Sequence, residues 1–151
     1  MKKDGCFRTG EVGQPYIIQT MRSYGMNDMI SEFILRENHP SYYAFVLAGE
    51  TSLGEYWEDN PRSHNHDMMG HIMEWYYNGI AGILPEEPGF KKITLKPYLP
   101  KSMNTMSCTF RSASGKIFVQ MKRSKDGNIS LITEVEEGIE VTVDRSNLQG
   151  T

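Results

Sequence analysis

The chain changes its hydrophobic period within residues 88–97, which run Pro88-Gly89-Phe90-Lys91-Lys92-Ile93-Thr94-Leu95-Lys96-Pro97. From Ile93 onward apolar and polar residues alternate, which is the period of a half-buried strand. The same alternation recurs, with Gly-containing turn signals in between, near residues 103–112, 117–122, 129–133 and 139–143. We therefore predict about five antiparallel strands that form a small β-sandwich over residues 88–151.

Before this stretch, apolar residues recur at three- and four-residue steps, which is the pattern of amphipathic helices. The pattern predicts three helices, at residues 9–25, 27–38 and 63–85. Pro15 suits a first helical turn, Pro40 ends the second helix and Ser63 is a suitable N-cap for the third. The predicted fold class is α+β, with helices over residues 1–87 and the β-sandwich over residues 88–151.

Composition and charge exclude several functional classes. The net charge of −3 combines −7 over residues 1–90 with +4 over residues 91–151, which argues against a general nucleic-acid binder. No run of about 18 apolar residues is present, so no membrane span or membrane association is expected. No apolar segment follows the first residues, so no signal peptide is visible and a cytoplasmic location is the default expectation. No phosphate loop, Rossmann turn or nucleophile elbow occurs, and no cofactor is expected.

Carboxylates and aromatic rings are concentrated in residues 49–59, Gly-Glu-Thr-Ser-Leu-Gly-Glu-Tyr-Trp-Glu-Asp. Glycoside hydrolysis needs one carboxylate to activate water or attack the sugar and a second as proton donor. Aromatic rings suit the apolar face of a sugar. A solvated acidic loop explains the same composition, and composition alone favours that loop.

Two histidines, His64 and His66, follow a few residues later. A metal site would need a third ligand, such as Asp59, Asp67 or His71, and no HExxH-type spacing is present, so no metal is expected. Ser63 and Asn65 are also ordinary helix-start residues. The Met and aromatic residues of 68–77 recur at helical spacing and are expected to be core.

Four stretches together carry a family resemblance. They are Thr9-Gly10-Glu11-Val12-Gly13-Gln14-Pro15, residues 49–57, Ser63-His64-Asn65-His66 followed by Gly70, Glu74 and Trp75, and residues 88–97. In order and spacing they resemble the C-terminal part of the bacterial α-L-rhamnosidases, glycoside hydrolase family 78. The resemblance implies that residues 1–87 are the last helices of an (α/α)6 barrel and that residues 88–151 are the terminal β-sandwich.

The resemblance also implies site residues. Glu55 would be the general base of an inverting hydrolysis of terminal α-L-rhamnosides. His66 would line the rhamnose pocket beside Trp57, with Asn65 and His64 as further substrate-binding residues. Gly54 stands where the family usually has Trp, so a shifted alignment would make Glu58 the base instead.

The family's general-acid motif, D-x-x-x-R-E-E-x-G-W-x-G-D, does not occur in this sequence. The expectation is therefore a fragment that supplies the base half of the site and is inactive alone. Its partners would be a rhamnose-containing glycan and either further copies of itself or the missing barrel segment. The alternative is a non-catalytic carbohydrate-binding or interaction module.

Overall fold

A computed structural model describes residues 5–59 and 62–148. Contacts divide the chain into two compact units, one ending at Trp75 and the other beginning at Tyr76. The division of the two family domains after residue 87 stays a prediction.

Between residues 5 and 75, leaving out 60 and 61, the first unit has four short α-helices: α1 (Gln14–Ser23), α2 (Asn27–Ile34), α3 (Tyr42–Leu47) and α4 (Ile72–Trp75). Both α1 and α2 were predicted from their apolar period, although each is shorter than expected. Helix α3 was not predicted. Ser41 caps α3, because its hydroxyl accepts from the Tyr43 amide at 3.2 Å and donates to the Ile34 carbonyl at 2.7 Å.

The core of this unit is aromatic. Phe7 packs edge-on against Phe33 with ring centroids 5.3 Å apart. Trp75 is 1% exposed, and its indole Nε1 donates a 2.9 Å hydrogen bond to Oδ1 of the buried Asn27. The only nitrogen of this large buried ring is therefore satisfied within the core.

The predicted third helix is correct over only about half of its length. Residues 63–66 are non-helical, a 3-10 turn covers Asp67–Met69, and α4 is a single turn. The cause is a competing partner for the backbone, since the His66 amide donates to the Leu53 carbonyl at 2.7 Å. Ser63 does not cap a helix either, because its carbonyl accepts from the Glu55 amide at 3.0 Å in the same pairing.

The second unit opens with a five-residue π-helix, Tyr76–Ile80. The strands that follow, up to residue 148, are β1 (Ile83–Pro85), β2 (Lys92–Leu95), β3 (Thr105–Ser112), β4 (Gly115–Arg123), β5 (Ile129–Val135) and β6 (Glu140–Val143). They form two three-stranded sheets in the orders β1-β2-β6 and β3-β4-β5. Strand β1 replaces the end of the predicted third helix, because Ile83 pairs with Leu95 of β2.

One strand pair departs from the predicted antiparallel arrangement. Strand β6 lies parallel to β2, with Lys92 opposite Glu140 and Leu95 opposite Val143. The remaining pairs are antiparallel, so the expected α+β class with a small, mostly antiparallel β-sandwich is confirmed. Buried residues of both sheets and of the adjoining loops form one core, consisting of Ala81, Ile83, Ile93, Leu95, Ile117, Val119 and Ile139.

Within the residues described here, no helix has the length and apolar content to cross a membrane.

Candidate active site

Backbone pairing joins the two segments in which the site residues were predicted. The Glu55 amide donates to the Ser63 carbonyl at 3.0 Å, and the His66 amide donates to the Leu53 carbonyl at 2.7 Å. The Ser52 hydroxyl donates to the His64 carbonyl in the same pairing. Residues 52–55 and 63–66 therefore form one short irregular ladder, which we call the site ladder. It pairs the backbone segments that carry Glu55 and His66.

The two candidate bases differ in their exposure. The Glu55 side chain is 19% exposed, and its Oε2 lies 4.0 Å from Nε of Arg62. Glu58 is exposed, and its amide donates to the Tyr56 carbonyl within a tight local turn. Of the two carboxylates, Glu55 is the one on the site ladder and the one sheltered from solvent.

His64 and Asn65 belong to the same ladder, and both are exposed. Nδ1 of His64 lies 2.8 Å from a carboxylate oxygen of Glu50. This contact orients the His64 ring through a residue that the sequence analysis did not single out as a partner. The Asn65 amide lies 3.4 Å from the Ser63 hydroxyl, which is a weak local contact.

His66 faces the turn that precedes α1. Its Nε2 lies 4.0 Å from Oε2 of Glu11, and both side chains are partly buried. The ring of His71 contacts the same residue, with its Nε2 3.2 Å from the Glu11 carbonyl. Glu11 was not among the predicted site residues. It belongs to a quoted motif, but no spacing in the sequence reveals that it meets both histidines.

Trp57 is packed into the first unit. Its ring lies edge-on to Tyr42 at 5.0 Å and is stacked on Phe45 at 5.9 Å. Its Nε1 donates to the Thr9 carbonyl at 3.1 Å. These contacts fix the end of the predicted catalytic segment against the core.

A further histidine, His39, packs against the same aromatic cluster. Its ring lies 4.5 Å from that of Phe45, and its Nε2 is 3.6 Å from Oδ1 of Asp59. Burial lowers the pKa of His39, while the carboxylates of Asp59 and Glu58 act in the opposite direction. The net lowering favours the neutral imidazole next to the aromatic cluster.

An open cleft of about 610 Å³ lies beside Glu11 in the first unit. Its lining combines acidic, apolar and imidazole side chains, namely Glu11, Val12, Pro15, Tyr16, Asp67, Met68, His71 and Glu74, with Gly70. Glu55, Trp57 and His66 are not among the lining residues. Among residues 5–59 and 62–148, no three His, Cys, Asp or Glu side chains are grouped as a metal ion requires.

Comparison with known proteins matches both parts of the chain to described domain families. Residues 1–80 match the bacterial alpha-L-rhamnosidase 6 hairpin glycosidase domain, and residues 79–147 match the bacterial alpha-L-rhamnosidase C-terminal domain. An alpha-L-rhamnosidase of Alteromonas sp. (strain LOR) is 31% identical over a match that covers 82% of this chain. One of Formosa agariphila is 29% identical over 76% of this chain.

Solved structures agree with these matches. The alpha-L-rhamnosidase of Dictyoglumus thermophilum superposes with a TM-score of 0.86 at 27% identity and covers 95% of this chain. That of Streptomyces avermitilis, solved in complex with L-rhamnose, has the same fold, with a TM-score of 0.86 at 24% identity over 94% of this chain.

The chain spans only a small part of these relatives. The matches cover 15% of the Alteromonas protein, 13% of the Formosa protein, 16% of the Dictyoglumus chain and 15% of the Streptomyces chain. Because family matches cover nearly all of this chain, the resemblance drawn from the four motif stretches is confirmed. By its six-hairpin glycosidase and C-terminal domain sequences, this chain belongs to the bacterial α-L-rhamnosidases.

Proposed function

We propose that this chain supplies the general-base side of the active site of an inverting α-L-rhamnosidase. The observation that carries the proposal is the site ladder, which holds the Glu55 and His66 backbones in one hydrogen-bonded pair of segments. In this proposal the Glu55 carboxylate and the His66 imidazole act on one sugar and one water molecule, and the pairing of their backbone segments supports that arrangement. The names of the relatives supply the substrate class, which is a rhamnose-containing glycoside.

In the proposed mechanism Glu55 acts in its carboxylate form. It takes a proton from a water molecule while the water oxygen attacks the anomeric carbon from the side opposite the leaving group. An inverting enzyme places its acid and base about 6.5–9.5 Å apart, so that this water fits between them. The acid that protonates the leaving oxygen is supplied by a segment outside this sequence, since the acid motif does not occur here.

The other predicted residues have supporting parts in this proposal. His66 hydrogen-bonds a rhamnose hydroxyl, and Asn65 and His64 offer polar groups at the rim, where both are exposed. Trp57 forms the floor of the site, because its contacts with Tyr42 and Phe45 fix it in place. Glu58 is the replacement base if Glu55 proves dispensable.

Exposed apolar side chains on the first unit support the proposed association with a second polypeptide. They include Val12, Tyr16, Tyr24, Met26, Leu35, Val46, Leu47 and Met73. Large exposed apolar patches on a globular unit mark surfaces that another chain covers. We propose that either a second copy of this chain or the remaining barrel segment does so here.

A titration of the chain with L-rhamnose, followed by two-dimensional NMR, tests the proposal. We expect weak binding that shifts the Glu55 amide and the His66 ring, with no such shifts from D-glucose. His66→Ala is expected to abolish the shift of the Glu55 amide, whereas Asn38→Ala, at an exposed position outside the site ladder, is expected to retain both shifts. Shifts confined to residues 76–148 would favour the non-catalytic carbohydrate-binding module instead. The absence of any shift with L-rhamnose would contradict the proposed site.

A further inference from the structure

The turn before α1 accepts contacts from three aromatic rings. Nε1 of Trp57 donates to the carbonyl oxygen of Thr9 at 3.1 Å, and Nε2 of His71 contacts the carbonyl oxygen of Glu11 at 3.2 Å. The third contact is different in kind, because Nε2 of His66 faces the side-chain carboxylate of Glu11 at 4.0 Å. Two of the rings, Trp57 and His71, thus contact main-chain oxygens of the turn, whereas the His66 ring contacts a side chain.

We propose that Glu11 is a positioning residue for His66, which it holds in one ring orientation and one tautomer for sugar binding. This inference rests on the proposed function, because it concerns the ring assigned to a rhamnose hydroxyl. Glu11 itself is not required to touch the sugar.

The tautomer follows from hydrogen-bond chemistry. A neutral imidazole has one N–H donor and one acceptor nitrogen, and the partner of one nitrogen decides the role of the other. A carboxylate only accepts, so the proposal assigns the hydrogen to Nε2 of His66, the nitrogen that lies 4.0 Å from the Glu11 carboxylate. Nδ1 is then left as an acceptor, and a sugar hydroxyl can donate to it.

The separation of 4.0 Å is longer than a hydrogen bond, so the proposed role requires the contact to shorten when the sugar binds. Contacts at catalytic and binding sites are often long in the free protein and shorten when the substrate binds. The His66 and Glu11 side chains are 28% and 35% exposed, so their contact is partly screened from water by the surrounding protein. The contact of the Glu11 carbonyl with His71 also restrains the backbone that carries the carboxylate.

The test uses long-range proton–nitrogen NMR of the histidine rings in the 151-residue chain, at a pH well above the ordinary histidine range. We expect wild-type His66 to show a single Nε2–H tautomer. In Glu11→Ala, the nitrogen chemical shifts of the His66 ring are expected to move to the averaged values of a mixture of the two tautomers. Glu11→Gln keeps an acceptor oxygen but adds a donor nitrogen. The chemical shifts of its His66 ring are therefore expected to lie between those of wild type and Glu11→Ala.

His71 is an internal control, because it contacts a main-chain carbonyl that every substitution at residue 11 retains. Its ring signals are expected to stay unchanged in both variants. The matched control Glu37→Gln makes the same charge change at an exposed position of the first unit, and we expect it to leave both rings unchanged. Glu11→Ala is also expected to weaken L-rhamnose binding by up to about tenfold, the value of one hydrogen bond.

Two outcomes would overturn the inference. One is a His66 ring spectrum that is identical in wild type and Glu11→Ala. The other is a His71 ring that shifts as much as His66, which would mean that the substitution disrupts the whole turn. If wild type fails to bind L-rhamnose, the proposed function fails, while the ring spectra still decide whether Glu11 orients His66.

Discussion

The indole nitrogen of Trp57 donates a hydrogen bond to the main-chain carbonyl of Thr9, 48 positions earlier in the sequence. This bond joins the end of the segment that carries Glu55 to the turn that carries Glu11. The two motif stretches to which these residues belong are therefore held together by a contact with a main-chain atom. The Trp57 ring then serves both the stability of the first unit and the geometry of the proposed site.

Trp57→Phe should remove the indole donor while keeping a ring next to Tyr42 and Phe45. We expect a loss of about 1 kcal/mol in the free energy of unfolding, the value of one hydrogen bond. Urea denaturation measures it. Tyr56→Ala, at the neighbouring exposed position, is the control and is expected to change the free energy by about 0.5 kcal/mol or less. Equal effects of the two substitutions would contradict the assigned role of the indole.

Gly82→Ala should be among the most damaging single substitutions in the second unit. A Cβ at this position would lie 2.1 Å from the carbonyl carbon of Lys96, and the φ angle of Gly82 is +70°. Backbone atoms cannot move aside as a flexible side chain can, so we expect a loss of more than about 3 kcal/mol in the free energy of unfolding.

Gly127→Ala is the matched control for this substitution. Gly127 has a φ angle of +84°, but a Cβ there would meet no atom within 4 Å. Only the backbone strain remains, and we expect a loss of about 1 kcal/mol. Similar melting temperatures for the two variants would show that the close approach to Lys96 does not affect the free energy of unfolding.

The contact between Lys96 and Asp144 predicts a pH dependence of stability. Nζ of Lys96 lies 2.8 Å from the Asp144 carboxylate, and this hydrogen bond is the largest cause that lowers the pKa of Asp144. A lowered folded-state pKa stabilises the protein above the unfolded-state value of about 4, and the stabilisation is lost as the pH falls below it.

Asp144→Asn should therefore lower the urea midpoint near neutral pH, and the difference from wild type should close as the pH falls below about 4. Asp126→Asn makes the same chemical change in the exposed turn between β4 and β5. We expect that control to differ little from wild type at any pH. A deficit of Asp144→Asn that persists unchanged in acid would rule out the ion pair as its cause.

Hydrolysis of an aryl α-L-rhamnoside by the pure chain is expected to be undetectable. General acid catalysis contributes typically about 10²–10⁴-fold, and positioning by further sugar contacts contributes more. An activated aryl leaving group depends least on the acid, so this assay is the most lenient one. Turnover that Glu55→Gln abolishes and Glu37→Gln preserves would show that the chain, or an assembly of it, completes a site by itself.

Light scattering at micromolar concentration is expected to show an assembly larger than one chain. Val46 and Leu47 on α3 are 63% and 53% exposed, and we expect a second copy to cover them. Replacing both with Lys should shift the particles towards monomer. Ile132→Lys, at an exposed position on β5, is the control and should leave the mass unchanged. A wild-type chain that is already monomeric would contradict the prediction.

Sequence periodicity predicted the longer regular elements. Helices α1 and α2 and strands β2 to β6 follow apolar patterns with the period of a helix or a strand. Residues 63–66 were assigned to a helix because Ser63 resembles an N-cap, yet their amide and carbonyl groups pair with Leu53 and Glu55 instead. A pairing partner in an irregular segment does not appear in the hydrophobic period of the sequence.

The site residues stay a prediction. The family resemblance implies Glu55, Trp57 and His66, and the site ladder pairs the backbone segments that carry Glu55 and His66. The contacts of Glu11 with His66 and His71 could not be predicted, because they depend on how the turn before α1 meets a segment 55 to 60 residues later. Contacts of this kind are set by the tertiary fold and not by any local pattern.

The parallel pairing of β6 with β2 has a consequence for how the second unit acquires its structure. Strands β3, β4 and β5 follow one another in a meander joined by short turns. Strand β2, in contrast, pairs with β6, which lies almost 50 residues later in the sequence. Local pairings close faster than distant ones, because less chain entropy is lost in bringing the strands together. We expect the meander to form first and β6 to dock last, so that the rate-limiting step of folding is the closure of the β1-β2-β6 sheet.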